Sequence, residues 1–98
     1  MNLQALMKQA QSMQKNIMDS KAKIEAMTFV GESELVEVTM SGKKEVISVK
    51  IKSTDLDKDD IEILEDMIVI ATNDAIRKIN KEIEDKMGSQ AGALGSFL

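Results

Sequence analysis

Apolar residues recur at alternating spacings of three and four through the start of the chain. Leu3, Ala10, Ile17 and Ile24 hold one position of a seven-residue repeat, Leu6, Met13, Ser20 and Met27 hold another, and Met7 and Met18 lie beside them. The spacing predicts a helix with one narrow apolar seam over about 24 residues, roughly 36 Å long. Gln4, Lys8, Gln9, Gln11, Gln14, Lys15 and Lys23 fill its other faces with helix formers that prefer water. Ala10 and Ser20 thin the seam, which favours loose pairing or packing on the protein's own sheet over a long independent coiled coil. The methionines are read as gap-filling packing groups.

The period then changes to two. In "ELVEVTM" Val36, Val38 and Met40 alternate with Leu35, Glu37 and Thr39, and in "EVISVKIK" Ile47, Val49 and Ile51 alternate with Val46, Ser48, Lys50 and Lys52. Both read as strands with one dry and one wetter side. "SGKK", Ser41 to Lys44, supplies a glycine turn that joins them as a hairpin. A short strand around Thr28 to Val30, ended by Gly31, completes a three-stranded antiparallel sheet, since two strands alone are marginal in water.

A second long helix starts after "DLDKDDIE". Asp57 is placed to cap it, with Asp60 three residues on, and the acids of the first turn suit the exposed N–H groups there. The aspartate cluster lacks the central glycine and terminal glutamate of a calcium loop. The helix runs to about Met87, with Gly88 as its stop. Leu64, Ile68, Ala71, Ala75 and Ile79 share one arc that continues toward Ile76 and Ile83, the face expected to cover the sheet or first helix. Ile63 and Ile70 lie well around from it, beside a polar strip of Asp66, Asn73, Arg77 and Glu84, so two different contacts are expected. Ile63, Met67 and Ile70 are the expected contacts with a second copy. The reading is α+β: a single α-β-α domain over residues 1–88, with residues 89–98, "SQAGALGSFL", as a flexible tail.

Composition narrows the function. The 98 residues contain no Cys, His, Trp, Tyr or Pro and only two Phe. Disulfides, thiol chemistry and Cys/His zinc sites are excluded, and no aromatic platform exists for stacking bases. No residue set offers a nucleophile with a tuned acid or base, and the single glycine of "FVGES" cannot cradle phosphate, so no enzyme, cofactor or metal is expected. The strongest apolar run, "MIVIA", is far below a membrane span of roughly 20 residues, and the start shows no secretory pattern. The expected location is cytoplasmic.

Net charge is −4, unevenly spread. Residues 1–30 carry four Lys against two acids, whereas residues 54–98 carry five bases against eleven acids. Any polyanion must therefore be met by a local patch. Lys8, Lys15, Lys21 and Lys23 bias the first helix, and Lys8 and Lys15, seven apart, share an outward strip. A two-fold dimer would present that strip twice and add counterion release across contacts. Lys78 has Asp74 and Glu82 one turn away, and Lys81 has Asp85, as helix-surface pairs.

"LMKQAQSMQKNI" (residues 6–17), "VEVTMSGKKEVISVKI" (36–51) and "LEDMIVIATNDAIRKINKE" (64–82) resemble blocks of the bacterial YbaB/EbfC family of nucleoid-associated proteins. The similarity spans residues 3–88. Its most specific piece is Leu64-Glu65-Asp66 with Asn73-Asp74-Ala75 nine residues on. The resemblance implies a tweezer-like homodimer whose protruding helices carry Leu3 to Met27 and Ala75 to Met87, binding double-stranded DNA with little sequence preference in the nucleoid. It adds Arg77, Lys78, Lys81 and Lys86 to Lys8, Lys15, Lys21 and Lys23 as expected DNA-backbone contacts. "VGESELVEV" departs from the family's glycine-rich bend, placing Glu32, Ser33 and Glu34 after Gly31, which argues against a DNA-facing role there. Phosphates are the expected targets, because no helix concentrates the Arg, Asn and Gln needed to read base edges. The competing expectation is a protein-interaction dimer with little DNA affinity, motivated by Ile63, Ile70, Leu94, Phe97 and the acidic last section.

Overall fold

The computed structural model describes residues 2–88. Helix α1 (Leu3–Glu25) is followed by strands β1 (Thr28–Glu32), β2 (Val36–Ser41) and β3 (Val46–Ile51), and then by α2 (Ile61–Met87), entered through a single 3-10 turn at Lys58–Asp60. The expected α+β architecture is therefore present. The sheet is antiparallel in the order β1-β2-β3.

The helix ends are set by local chemistry. Asn2 Oδ1 accepts from the Gln4 N–H at 3.0 Å and starts α1. Asp57 and Asp60 form the reciprocal capping box, each carboxylate accepting a backbone N–H near the other residue. Two donors that a helix start would leave bare are thereby satisfied. Gly88, with φ of 58°, ends α2 in a conformation that costs other residues more.

The core is one layer thick. Val36 and Val38 pack with Ala71, flanked by Leu35, Leu64, Met67 and Ile68. Met40 packs with Ala75, Ile79, Ile83 and Ile24 of α1. Successive β2 residues thus meet successive α2 turns, so α2 runs along β2 in the same direction. Gly31 lies beneath it: a Cβ there would stand 1.9 Å from the Ala71 carbonyl oxygen and 2.5 Å from the Ala75 nitrogen. Gly31 does not end β1, as its glycine had suggested; it lies inside the strand, where only a missing side chain lets helix and sheet meet.

Two other expectations change. β3 has no dry side: Val46, Ile47, Val49 and Ile51 are all 44–57% exposed. Val49 and Ile51 pair with Val38 and Val36 and so share their face of the sheet, but α2 covers β1 and β2 and stops short of the third strand. The seam of α1 is also largely open. Ile24 alone is buried, Ile17 and Ser20 are half-buried, and Leu3, Leu6, Met7 and Met13 are exposed. The molecule measures 70 × 19 × 16 Å, and its radius of gyration of 18.7 Å exceeds the value of about 13 Å for a compact domain of this length. The α1 helix projects as an arm beyond the sheet.

Candidate nucleic-acid interface

The arm is anchored at one end only. Ile24 enters the core, and a shallow cleft lined by Met13, Asn16, Ile17, Ser20, Lys86 and Met87 opens where α1 leaves the end of α2. With Ile24 facing α2, the helical period of 100° per residue turns Lys8 and Lys15 to the opposite side. They share an outward strip about 10 Å apart along the axis. Neither makes an ion pair or side-chain hydrogen bond among the described residues, and the same holds for Lys23 and Lys81.

The remaining sequence-nominated cations are engaged within the chain. Lys21 pairs with Glu25 at 3.6 Å and Lys86 with Glu82 at 3.8 Å. Arg77 and Lys78 both reach Asp74, at 3.4 and 3.3 Å. Lys78 Nζ also donates to the Val30 carbonyl oxygen at 2.6 Å, while Asp74 Oδ2 accepts from the Glu32 N–H at 2.9 Å. These bonds straddle Gly31 and tie α2 to the β1 edge. Of the pairs expected from spacing, Lys78 with Asp74 is present. Glu82 is taken by Lys86, and no pair joins Lys81 to Asp85 among the described residues.

Asp74 has its pKa lowered from the ordinary 3.8, chiefly by the Glu32 N–H that its carboxylate accepts. Lys78, by hydrogen bond and charge, and Arg77, by charge, act in the same direction, while partial burial opposes them. Its charge is therefore structural.

The expected contacts with a second copy divide. Ile63 and Ile70 are 47% and 53% exposed. Met67 is half-buried and packs against the chain's own Val36–Val38–Ala71 cluster. Reading α2 alone missed the uncovered β3 face, because alternation reveals a face without revealing how far a helix extends over it. Leu94 and Phe97 lie outside the described residues, as does the whole of the predicted tail.

A thin core, a bare apolar strand and a projecting arm whose Lys8 and Lys15 have no ion pair among the described residues define a small α+β protein with an uncovered apolar face and a cationic helix. The sequence profile of the YbaB/EbfC DNA-binding family matches residues 1–94, and the chain belongs to that family. It is 49% identical over 98 residues to a nucleoid-associated protein of Lachnoclostridium phytofermentans, covering 98% of this chain and 82% of that protein. It is 44% identical over 96 residues to a nucleoid-associated protein of Streptococcus uberis, and 42% identical over 96 residues to one of Streptococcus pneumoniae. Both alignments cover 96% of this chain and 97% of the relative. No helix among the described residues is long and apolar enough to cross a membrane.

Proposed function

We propose that this chain binds double-stranded DNA in the bacterial nucleoid as a homodimer, chiefly through backbone phosphates and without catalysis. The observation that carries the reading is the arm, where Lys8 and Lys15 lie on an outward strip with no partner among the described residues. Arg77, Lys78 and Lys86 have their charges answered within the chain, so α1 leads the contact and α2 supports it mainly through Lys81. A second copy supplies what one arm lacks. If Lys8 and Lys15 of both copies touch phosphate, four contacts give a slope of log affinity against log salt of about −3.6. A threefold rise in salt then weakens binding roughly fifty-fold.

Support for the homodimer is the uncovered apolar surface. Val49 and Ile51 continue the strip of Val38 and Val36 past the edge of α2, and Ile61, Ile63, Val69 and Ile70 are exposed on the first half of that helix. A stable interface needs at least about 1,000 Å² in total, and β3 with the start of α2 is the apolar surface placed to provide it.

The test is salt-titrated binding to unrelated duplexes, with sedimentation beside it. Replacing Lys8 and Lys15 by Glu should abolish most of the slope while leaving the dimer intact. Lys78→Met is the control and should leave the slope unaltered, because its amine is held by Val30 and Asp74. Unchanged binding by the Lys8→Glu/Lys15→Glu dimer would refute the arm as the contact surface and favour a protein-interaction dimer.

A further inference from the structure

The two edges of the sheet differ in what covers their main chain. Successive residues of an antiparallel strand turn their N–H and C=O groups alternately to one side and the other. The Lys52 N–H donates to the Leu35 carbonyl oxygen at 2.8 Å, just beyond the Val36–Ile51 pair, so Ile51 and, two residues back, Val49 turn their own N–H and C=O away from β2. Carried through Val38 to its partner Gly31, the same alternation turns Val30 and Glu32 outward on β1. There α2 meets them: Lys78 donates to the Val30 carbonyl oxygen and Asp74 accepts from the Glu32 N–H, so helix side chains occupy that edge. Along β3 the main-chain groups of Val49 and Ile51 that face outward make no hydrogen bond among the described residues.

We propose that the open β3 edge pairs with the β3 edge of a second copy, antiparallel and about a two-fold axis at Val49, joining the two sheets into one. The inference rests on the homodimer reading above and specifies how the copies meet. An exposed edge strand is a template for another chain, and here only β3 presents one, because side chains of α2 block β1. The register follows from which residues then stand opposite each other. Three registers overlap most of β3, centred on Ser48, Val49 or Lys50. The first sets Ile51 against the partner's Glu45. The third sets Lys50 against its own copy, like charges directly opposed, and Ile47 against the partner's Ser53. Centring on Val49 pairs Val49 with Val49 and Ile47 with the partner's Ile51, and it leaves Lys50 opposite a serine. Opposed residues share a face of the sheet, so the apolar strip that α2 leaves uncovered at Val49 runs on into the same strip of the other copy.

The experiment uses the full chain, which has no cysteine of its own, so single cysteines report the register. Opposed residues of a hydrogen-bonded pair stand about 5.5 Å apart at Cα, within disulfide range. Under mild oxidation with diamide, Val49→Cys should cross-link into a covalent dimer, and Ser48→Cys and Lys50→Cys should do so much less. Val49→Pro removes an outward N–H and sets a ring on the edge without removing a β2–β3 hydrogen bond, a position where proline is tolerated. It should keep the circular dichroism of the parent and weaken self-association in sedimentation at least about tenfold, since both copies lose a main-chain donor. Val49→Thr, which keeps the branched shape and the N–H, should sediment with the parent. A folded Val49→Pro that dimerises like the parent, or a dimeric Val49→Cys that does not cross-link in preference to the other two, overturns the β3 junction and leaves the homodimer standing. Should Val49→Pro not fold, the cysteine yields decide alone. A parent that sediments as a single chain overturns both.

Discussion

Gly31→Ala is the smallest change that tests whether the close seating of α2 on the sheet holds the fold together. The added methyl would sit 1.9 Å from the Ala71 carbonyl oxygen, 2.5 Å from the Ala75 nitrogen and 2.8 Å from the Ala75 Cβ. Two of these three atoms are helix backbone, so no rotamer change relieves the clash. Restoring ordinary contact near 3.5 Å requires helix and strand to separate locally by about 1.5 Å. Overpacking alone costs about 1–3 kcal/mol. The same separation strains the two tethers flanking Gly31, Glu32 N–H to Asp74 at 2.9 Å and Lys78 to Val30 at 2.6 Å. Hydrogen bonds that involve charged groups contribute about 1.5–3 kcal/mol each, and exposure of these two places them at the low end. With both tethers lost the total is about 4–6 kcal/mol, a large fraction of the roughly 5–15 kcal/mol available to a small domain. Urea unfolding followed by circular dichroism reads it directly, at one fixed protein concentration because the proposed self-association would contribute to apparent stability. A loss below about 1 kcal/mol would show that α2 shifts freely over the sheet, and would remove the argument that the Gly31 contact fixes their relation.

Two further outcomes follow from the tether at Asp74. Asp74→Ala removes the acceptor of the Glu32 N–H and the partner of Arg77 and Lys78, and should destabilise the chain by about 1–2 kcal/mol at neutral pH. Because the folded pKa of Asp74 lies below its ordinary 3.8, its contribution is present above that value and disappears as pH falls through the lower folded value. The gap between parent and variant in urea melts should therefore close on acidification below about pH 4, and a gap that stays constant or widens contradicts the assignment. On the association surface, Val49→Glu with Ile51→Glu should shift sedimentation at low micromolar concentration toward the 10.8 kDa single chain, and Ile63→Glu with Ile70→Glu should weaken the dimer from the helix side. A β3 variant that sediments like a dimeric parent rules out the third strand as the contact.

What was legible in the sequence was the part governed by neighbours along the chain. The Asp57–Asp60 box, the stop at Gly88, the α2 face from Leu64 to Ile83 and the pairing of Lys78 with Asp74 all follow from residues three or four apart. What was hidden depends on residues brought together from afar. Gly31 read as the end of a strand because the α2 backbone that needs its space lies forty residues away. Gly42 read as the special residue of the turn, yet Lys44 takes the positive φ while Gly42 is required by the end of α1. The tethers from Asp74 to Glu32 and from Lys78 to Val30 cross 42 and 48 residues, so the spacing of charges on α2 revealed the ion pair without its attachment to β1.

The separation of arm from core gives the functional reading its experimental reach. Large apolar side chains that remain exposed outnumber fully buried hydrophobics among the described residues by fifteen to eight, so the single chain leaves more grease outside than it encloses. Twelve of the fifteen fall in two places with different neighbours: on β3 and the first half of α2, beside a core that is already dry, and on α1 from Leu3 to Met13, beyond it. Lys8 and Lys15, which lead the proposed phosphate contact, lie on the arm and not beside the first place. A charge change at Lys8 or Lys15 touches no buried residue, whereas a change at Val49 or Ile51 touches no unpaired lysine of the arm. Loss of DNA binding by the arm variants with the dimer preserved, set against loss of the dimer by the β3 variants, therefore separates weak contact from halved contact. In the second case, raising protein concentration should recover binding as dimers re-form by mass action, and in the first it should recover much less.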